Sequence, residues 1–148
     1  MVMLFLCTGN SCRSQMAEGF ARVLKGLEDF EVYSAGLEKQ ELNPLAVRVM
    51  GELGIDITNQ RSKTIEELPV KEFDYVMTMC DNARESCPRF PGATRLLHHS
   101  FPDPPYLTRN MKNEKEKLTV YRRVRDEIRE FMEHSLPVDL STGSLKKR

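Results

Sequence analysis

The sequence predicts a single α/β domain, a four-stranded parallel sheet with helices on both faces. Three observations carry that reading. Short apolar runs alternate along the chain with stretches of helical period. The first run, residues 2–6, is apolar at every position, as a strand buried on both faces must be. The 148 residues contain no repeat and no interdomain linker, and that length suits one core. Crossovers in such a sheet are right-handed. Its ligand site lies beyond the carboxyl ends of the strands, near the point where strand order reverses.

The elements follow in order. After the first strand, Met16, Phe20, Val23 and Leu24 share a stripe of a helix expected from residue 14 to about 27. Residues 30–33 form the second strand, closed by the turn-prone Ser34-Ala35-Gly36. Asn43-Pro44 supplies an N-cap and a proline at the first helical position. Leu45, Val49 and Leu53 follow at four-residue spacing, and Gly54 supplies the stop. Thr64 to Glu67 has the form of a capping box before a short helix. Residues 73–79 are the third strand and 94–97 the fourth. Between them, residues 80–92 are expected as a helical turn or loop ended by Pro88 and Pro91. The last long helix runs from about 113 to 134, with Tyr121, Val124, Ile128 and Phe131 inward. The domain is expected to span 1–136, and the polar tail 137–148 to fray.

Composition narrows the function classes. Basic and acidic residues number 22 each, so formal net charge is zero. That argues against nucleic acid or an anionic membrane as partner, since both need a basic surplus. No run approaches the length of a membrane span. The opening MVMLFLC lacks a basic flank and is too short for a signal peptide. A cytoplasmic monomer is expected, and in that setting four cysteines are not a disulfide framework. Zinc is a poor alternative. The cysteine spacings are C-x4-C and C-x6-C. His98 and His99 are adjacent on an expected strand and so point to opposite faces. No metal site is expected.

The stretch CTGNSCRS, Cys7 to Ser14, joins the first strand to the first helix. Successive N–H groups in such a loop form a nest for an anion at the positive end of the helix dipole. Gly9 is expected to relax the backbone where a side chain would crowd a ligand. Arg13 adds a planar fork suited to a tetrahedral oxyanion. The same positive field favours a thiolate at Cys7, which then faces the bound ion as a nucleophile. Ser14 can donate to that sulfur, or cap the helix.

At these residues the chain resembles a known family. CTGNSCRSQMAEG resembles the phosphate loop of the low-molecular-weight tyrosine phosphatase superfamily. More closely, it is similar to the thioredoxin-coupled arsenate reductases built on that fold. The resemblance continues through VYSAG, NP, VMTMCDNARESCP, FPDPP and YRRVRDEI, so it covers all but about the last dozen residues.

The resemblance implies a low-molecular-weight phosphatase-like sheet. It implies an oxyanion held by Thr8, Gly9, Asn10, Ser11, Cys12, Arg13 and Ser14. It further implies that Cys7 attacks arsenate, Cys80 attacks the Cys7 sulfur and releases arsenite, and Cys87 attacks Cys80. Thioredoxin then reduces the Cys80–Cys87 disulfide. Asp103 in FPDPP matches the family's acid. Cys12 matches a second loop cysteine that is not an obligatory catalyst, with a Cys7–Cys12 disulfide as an off-pathway oxidation. The alternative implied by the same family is a phosphatase that hydrolyses phosphate monoesters through a phosphocysteine. It needs only Cys7, Arg13 and an acid.

The spacing of the extra thiols is compatible with the relay. If strands one and three are neighbours, Cys7 and Cys80 emerge about 4.8 Å apart at one sheet edge. If the six residues between Cys80 and Cys87 were helical, those two would stand about 10.5 Å apart, so joining them requires the helix to unwind.

Two departures from the family pattern stand out. Asn10, Glu18 and Ser34 match a potassium site of some members, but Lys63 occupies the place of a further carboxylate. Lys63 is expected to replace the cation, so no cofactor is needed. Pro105 intervenes before Tyr106, where phosphatases carry aromatic residues that frame a phosphotyrosine ring. That favours a small inorganic oxyanion.

Overall fold

The computed structural model describes residues 1–87, 90, 94–137 and 140. Its strands are β1 (Val2–Cys7), β2 (Glu31–Gly36), β3 (Tyr75–Thr78) and β4 (Arg95–His98). Its α-helices are α1 (Arg13–Val23), α2 (Pro44–Gly51), α3 (Asp81–Glu85), α4 (Pro104–Leu107) and α5 (Glu114–Glu130). All strand pairs are parallel, in the order β2-β1-β3-β4. Strand order therefore reverses at β1, whose carboxyl end is Cys7. Met3, Leu4, Phe5 and Leu6 are wholly buried, so both faces of the central strand are covered. α1 packs on β1 and β2 and against α5, and α2 packs against α5.

The first helix is shorter than its period suggests. α1 stops at Val23, which is 58% exposed, and Leu24 is extended. Gly26, at φ 96°, turns the chain so that Leu27 enters the core where Val23 was expected. The second strand is longer. Ser34, Ala35 and Gly36 form no turn; they pair with Phe5, Leu6 and Cys7. Parallel pairing along a buried edge overrides the turn preference of these residues.

Asn43 caps α2 as expected, its Oδ1 accepting from the N–H groups of Leu45 and Ala46. The inward face is Ala46, Val49 and Met50, with Leu45 and Leu53 only partly buried. Gly54 ends the segment at φ 77°. There the Ile55 N–H reaches the Met50 carbonyl and the Gly54 N–H the Gly51 carbonyl, the Schellman arrangement. The capping box is present, with the Glu67 carboxylate accepting from the Thr64 N–H at 2.8 Å. The turn it opens, Ile65–Glu67, is 3₁₀. β3 is trimmed at both ends relative to expectation, and β4 starts one residue later.

α4 was not anticipated; Pro104 at its first position fixes a helical φ. α5 buries Tyr121, Val124 and Ile128, and continues into a π turn, Phe131–Ser135, that buries Phe131. Pro88 and Pro91 lie outside the described residues. So does the tail from 137, apart from Pro137 and Leu140, the latter packed against the core.

Glu52 ties α2 to α5 through Arg122 and Arg125, at 2.8 and 2.9 Å. The Arg122 hydrogen bond above all, then Arg125, holds its carboxyl down to about 2. The folded state thus binds this proton less tightly than the unfolded chain. The resulting stability is present above the usual carboxylate value and is lost as pH falls toward 2. Glu52→Gln is expected to unfold at lower urea than the parent at pH 7. That difference should shrink between about pH 4.5 and pH 2, followed by circular dichroism.

Candidate active site

The loop that follows β1 turns back into α1 beneath a cavity of about 150 Å³. Cys7, Thr8, Gly9, Ser11, Cys12 and Arg13 line it from the loop; Gln40 and Asp103 join from elsewhere in the chain. The loop turns at Asn10, whose φ of 50° lies in the left-handed region that Asn tolerates. Gly9 does not make this turn. A Cβ there would lie 2.3 Å from Gln40 Cδ, so the side chain that Gly9 accommodates belongs to Gln40. The stricter requirement falls on Gly36 at the end of β2. A Cβ there would meet the Glu38 carbonyl oxygen at 2.6 Å and the Asn10 nitrogen at 2.8 Å.

Asn10 is wholly buried and holds the loop from within. Its Nδ2 donates to Ser14 Oγ and Ser34 Oγ at 2.8 and 2.9 Å. Its Oδ1 accepts from Gln15 Nε2 and the Lys63 N–H, both at 3.0 Å. Ser34 donates onward to Glu18 at 2.5 Å. Both Asn10 protons are thereby assigned, and Ser14, which receives one, keeps its own for Cys7 Sγ at 2.8 Å. The Asn10 N–H also donates to that sulfur at 3.3 Å. The Asn10 N–H and the Ser14 hydroxyl therefore both face the Cys7 sulfur. Ser14 is not the helix cap, which falls on Cys12.

Arg13 is 9% exposed, and its Nη1 donates to the Phe101 carbonyl at 3.0 Å. Its other terminal nitrogen lies 3.7 Å from Asp103. Burial above all, and then the charge of Cys7, push the Cys12 thiol far up, so it stays protonated and does not compete as a nucleophile.

β1 and β3 are neighbours, and this brings a second sulfur to the loop. Thr8 Oγ1 lies 3.3 Å from Cys80 Sγ and accepts from Asn82 Nδ2 at 3.1 Å. Cys80 is the N-cap of α3, its sulfur accepting from the Ala83 N–H at 3.3 Å. Cys87 follows α3, half-buried, and burial raises its thiol. All four cysteines are free. His98 sits at the end of β4 between Thr78 Oγ1 and Asp81 Oδ1, at 2.7 and 3.2 Å. His99 stacks on Phe101. A larger groove of about 750 Å³ beside α5 contains none of the cysteines.

The sequence model of the low molecular weight phosphotyrosine protein phosphatases matches residues 2–141. The chain belongs to that family. Among its relatives, the arsenate reductase of Bacillus subtilis strain 168 is 47% identical over 127 residues, 86% of this chain and 88% of that protein. Solved structures share the fold. An arsenate reductase in its oxidized state superposes at a TM-score of 0.73 with 31% identity, covering 94% of this chain and 98% of the other. One in a phosphate-binding state gives 0.69 with 32% identity, covering 93% and 97%. A thioredoxin-dependent arsenate reductase of Corynebacterium glutamicum gives 0.59 with 25% identity, covering 88% and 59%.

Gln40, Ser62 and Gly36 were not anticipated as site residues. Ser62 donates to the Gly9 carbonyl at 2.8 Å and accepts from the Gln40 N–H at 2.9 Å. No local pattern marks them, because each reaches the loop from a distant part of the chain. Gly36→Ala is expected to destabilise the fold by roughly 1–3 kcal/mol, because the neighbours it would displace are backbone. It should also slow alkylation of Cys7 by iodoacetamide by disturbing Asn10. Urea unfolding and mass spectrometry of the alkylated chain check the two effects.

Proposed function

We propose that this protein reduces arsenate to arsenite through Cys7, Cys80 and Cys87, with thioredoxin regenerating the thiols. The observation that carries the reading is the pair of sulfurs at adjacent strand ends, joined through Thr8 with Cys80 Sγ 3.3 Å from its hydroxyl. A phosphatase has no use for the second sulfur. Arsenate reductases at 47% identity and a thioredoxin-dependent one of the same fold support the choice of substrate and reductant. Four free thiols suit a reducing, cytoplasmic compartment.

Arsenate lies against the loop N–H groups and Arg13. The Cys7 thiolate attacks arsenic, Asp103 protonates the departing oxygen, and water leaves. Cys80 then attacks the Cys7 sulfur. The S–As bonding pair passes to arsenic, which falls from As(V) to As(III), and arsenite departs from a Cys7–Cys80 disulfide. Cys87 attacks Cys80 and releases Cys7 as a thiolate. A thioredoxin dithiol reduces the Cys80–Cys87 disulfide and restores the cycle.

The last exchange within the chain has a conformational requirement. Cys80 Sγ caps α3, and Cys87 lies beyond its far end. Their sulfurs meet only when this five-residue helix unwinds. So short a helix has little intrinsic stability, so unwinding costs little. Burial raises the Cys87 thiol in the folded, reduced chain.

Cys87→Ser is expected to release one arsenite per chain and then stop, while hydrolysis of phosphate monoesters continues. Arsenate-dependent oxidation of NADPH with thioredoxin and its reductase measures the turnover. Loss of ester hydrolysis together with retained multiple turnovers would overturn the relay.

Lys63 takes the part of a monovalent cation in this proposal. Its Nζ lies 3.8 Å from Glu18 Oε1 and donates to the Arg61 carbonyl at 3.0 Å. Arg22 also pairs with Glu18. With two cations on one buried carboxylate, turnover is expected to be the same in sodium and potassium salts. Lys63→Met is expected to make the rate respond to potassium. A potassium-dependent rate in the parent chain would contradict this.

A further inference from the structure

The relay requires α3 to open, and two side chains of its first turn are tied to other parts of the molecule. Asn82 Nδ2 donates to Thr8 Oγ1 in the oxyanion loop at 3.1 Å. Asp81 Oδ1 lies 3.2 Å from Nε2 of His98, the last residue of β4. The other nitrogen of that ring, Nδ1, lies 2.7 Å from Thr78 Oγ1 at the end of β3. The His98 side chain is 12% exposed, so packing and these two contacts fix its orientation. No step of the relay uses His98.

We propose that His98 is a positioning residue for the relay: in its protonated form it grips Asp81 and holds α3 in the helical state that keeps Cys87 from Cys80. The inference rests on the Cys80–Cys87 exchange proposed above. Thr78 Oγ1 donates to the Leu97 carbonyl at 3.2 Å, so it meets the imidazole as an acceptor. Nδ1 then carries a proton. A neutral imidazole has no second one, and its Nε2 would turn a lone pair on the Asp81 carboxylate. The whole set is made only by the imidazolium. Thr78 faces the ring from β3 and Asp81 faces it from α3. Among the described residues, Asp81 is the one carboxylate within 4.0 Å of the ring nitrogens. The neighbouring Cys80 thiol turns instead to Thr8 and the Ala83 N–H. Asp81 is the first residue of α3, so redirecting the chain toward Cys80 swings its carboxylate off β4. The tie thus belongs to the reduced chain. By linkage it opposes the disulfide by as much as it stabilises the helix.

The test is the equilibrium between the dithiol and the Cys80–Cys87 disulfide of the full-length chain, over a range of dithiothreitol redox buffers. Oxidised dithiothreitol takes two electrons and two protons from Cys80 and Cys87 and becomes its own dithiol. Alkylation and peptide mass spectrometry identify the pair formed. At about pH 5.5 an imidazole is ordinarily charged. There His98→Asn and Asp81→Asn are each expected to raise the equilibrium constant for the disulfide about two- to fivefold, the size of an ion pair with one exposed partner. The double variant should gain no more than either single one, as a shared contact requires. At about pH 8 the advantage of the variants should shrink toward nothing. Arsenite release in a single turnover precedes the Cys87 step and should be the same in His98→Asn as in the parent. Equal constants for the parent and both variants at the lower pH would show that the tie does not restrain α3, and the proposal is wrong. A shift of the same size at both pH values would overturn it as well, since the imidazole proton would then play no part. If the parent forms no Cys80–Cys87 disulfide at any buffer ratio, the relay itself has failed and this inference falls with it.

Discussion

The side chain of Asn10 is the tie on which the cavity depends. A loop whose N–H groups must converge on an anion cannot satisfy its own polar groups by ordinary helix or sheet pairing. The surrounding protein has to hold it open. Asn10 does this by adopting a left-handed backbone and by spending its whole amide on four partners, in α1, in β2 and in the segment before β3. Donation runs outward from Asn10, to Ser34 and on to Glu18 on one side and to Ser14, which meets Cys7 Sγ, on the other.

The same sheet supplies reactivity and restraint. Parallel pairing of β1 with β3 places Cys80 beside the loop, and the N-cap position of α3 keeps that sulfur directed at its own helix. The helix holds the reduced form in place and is short enough to melt. Burial is concentrated in the β1 core and along α1, α2 and α5, whereas five-residue α3 buries only Ala83. Uneven burial of this kind accompanies local unfolding.

The chemistry-bearing residues were legible in the sequence because they are local. Cys7, Asn10, Arg13 and Ser14 fall in one strand–helix junction, and Asn43-Pro44 and Gly54 carry their cap and stop signals in their own side chains and backbone. The α1 boundary was not legible. Val23 and Leu24 fit the apolar period, but the helix ends at Val23, Gly26 turns the chain and Leu27 enters the core instead. Ser34-Ala35-Gly36 reads as a turn by local preference, and its pairing partner lies almost thirty residues away. Gly9 was read as room for a ligand; it lines the cavity, and the Gln40 carboxamide lies beside it as well.

By itself, the sequence determined the parallel α/β class, the strand–helix junction that carries Cys7, Gly9 and Arg13, and the presence of two thiols beyond what a phosphatase needs. These follow from periodicity and from residues within one or two turns of each other, which short-range sterics and hydrogen bonding govern. Only the tertiary structure decided that Ser14 serves the sulfur rather than the helix end, that Cys12 is kept a thiol, and that Gln40 and Asp103 close the cavity. Each of those depends on burial or on contact between segments far apart in the chain, and neither quantity is written in a local stretch of residues.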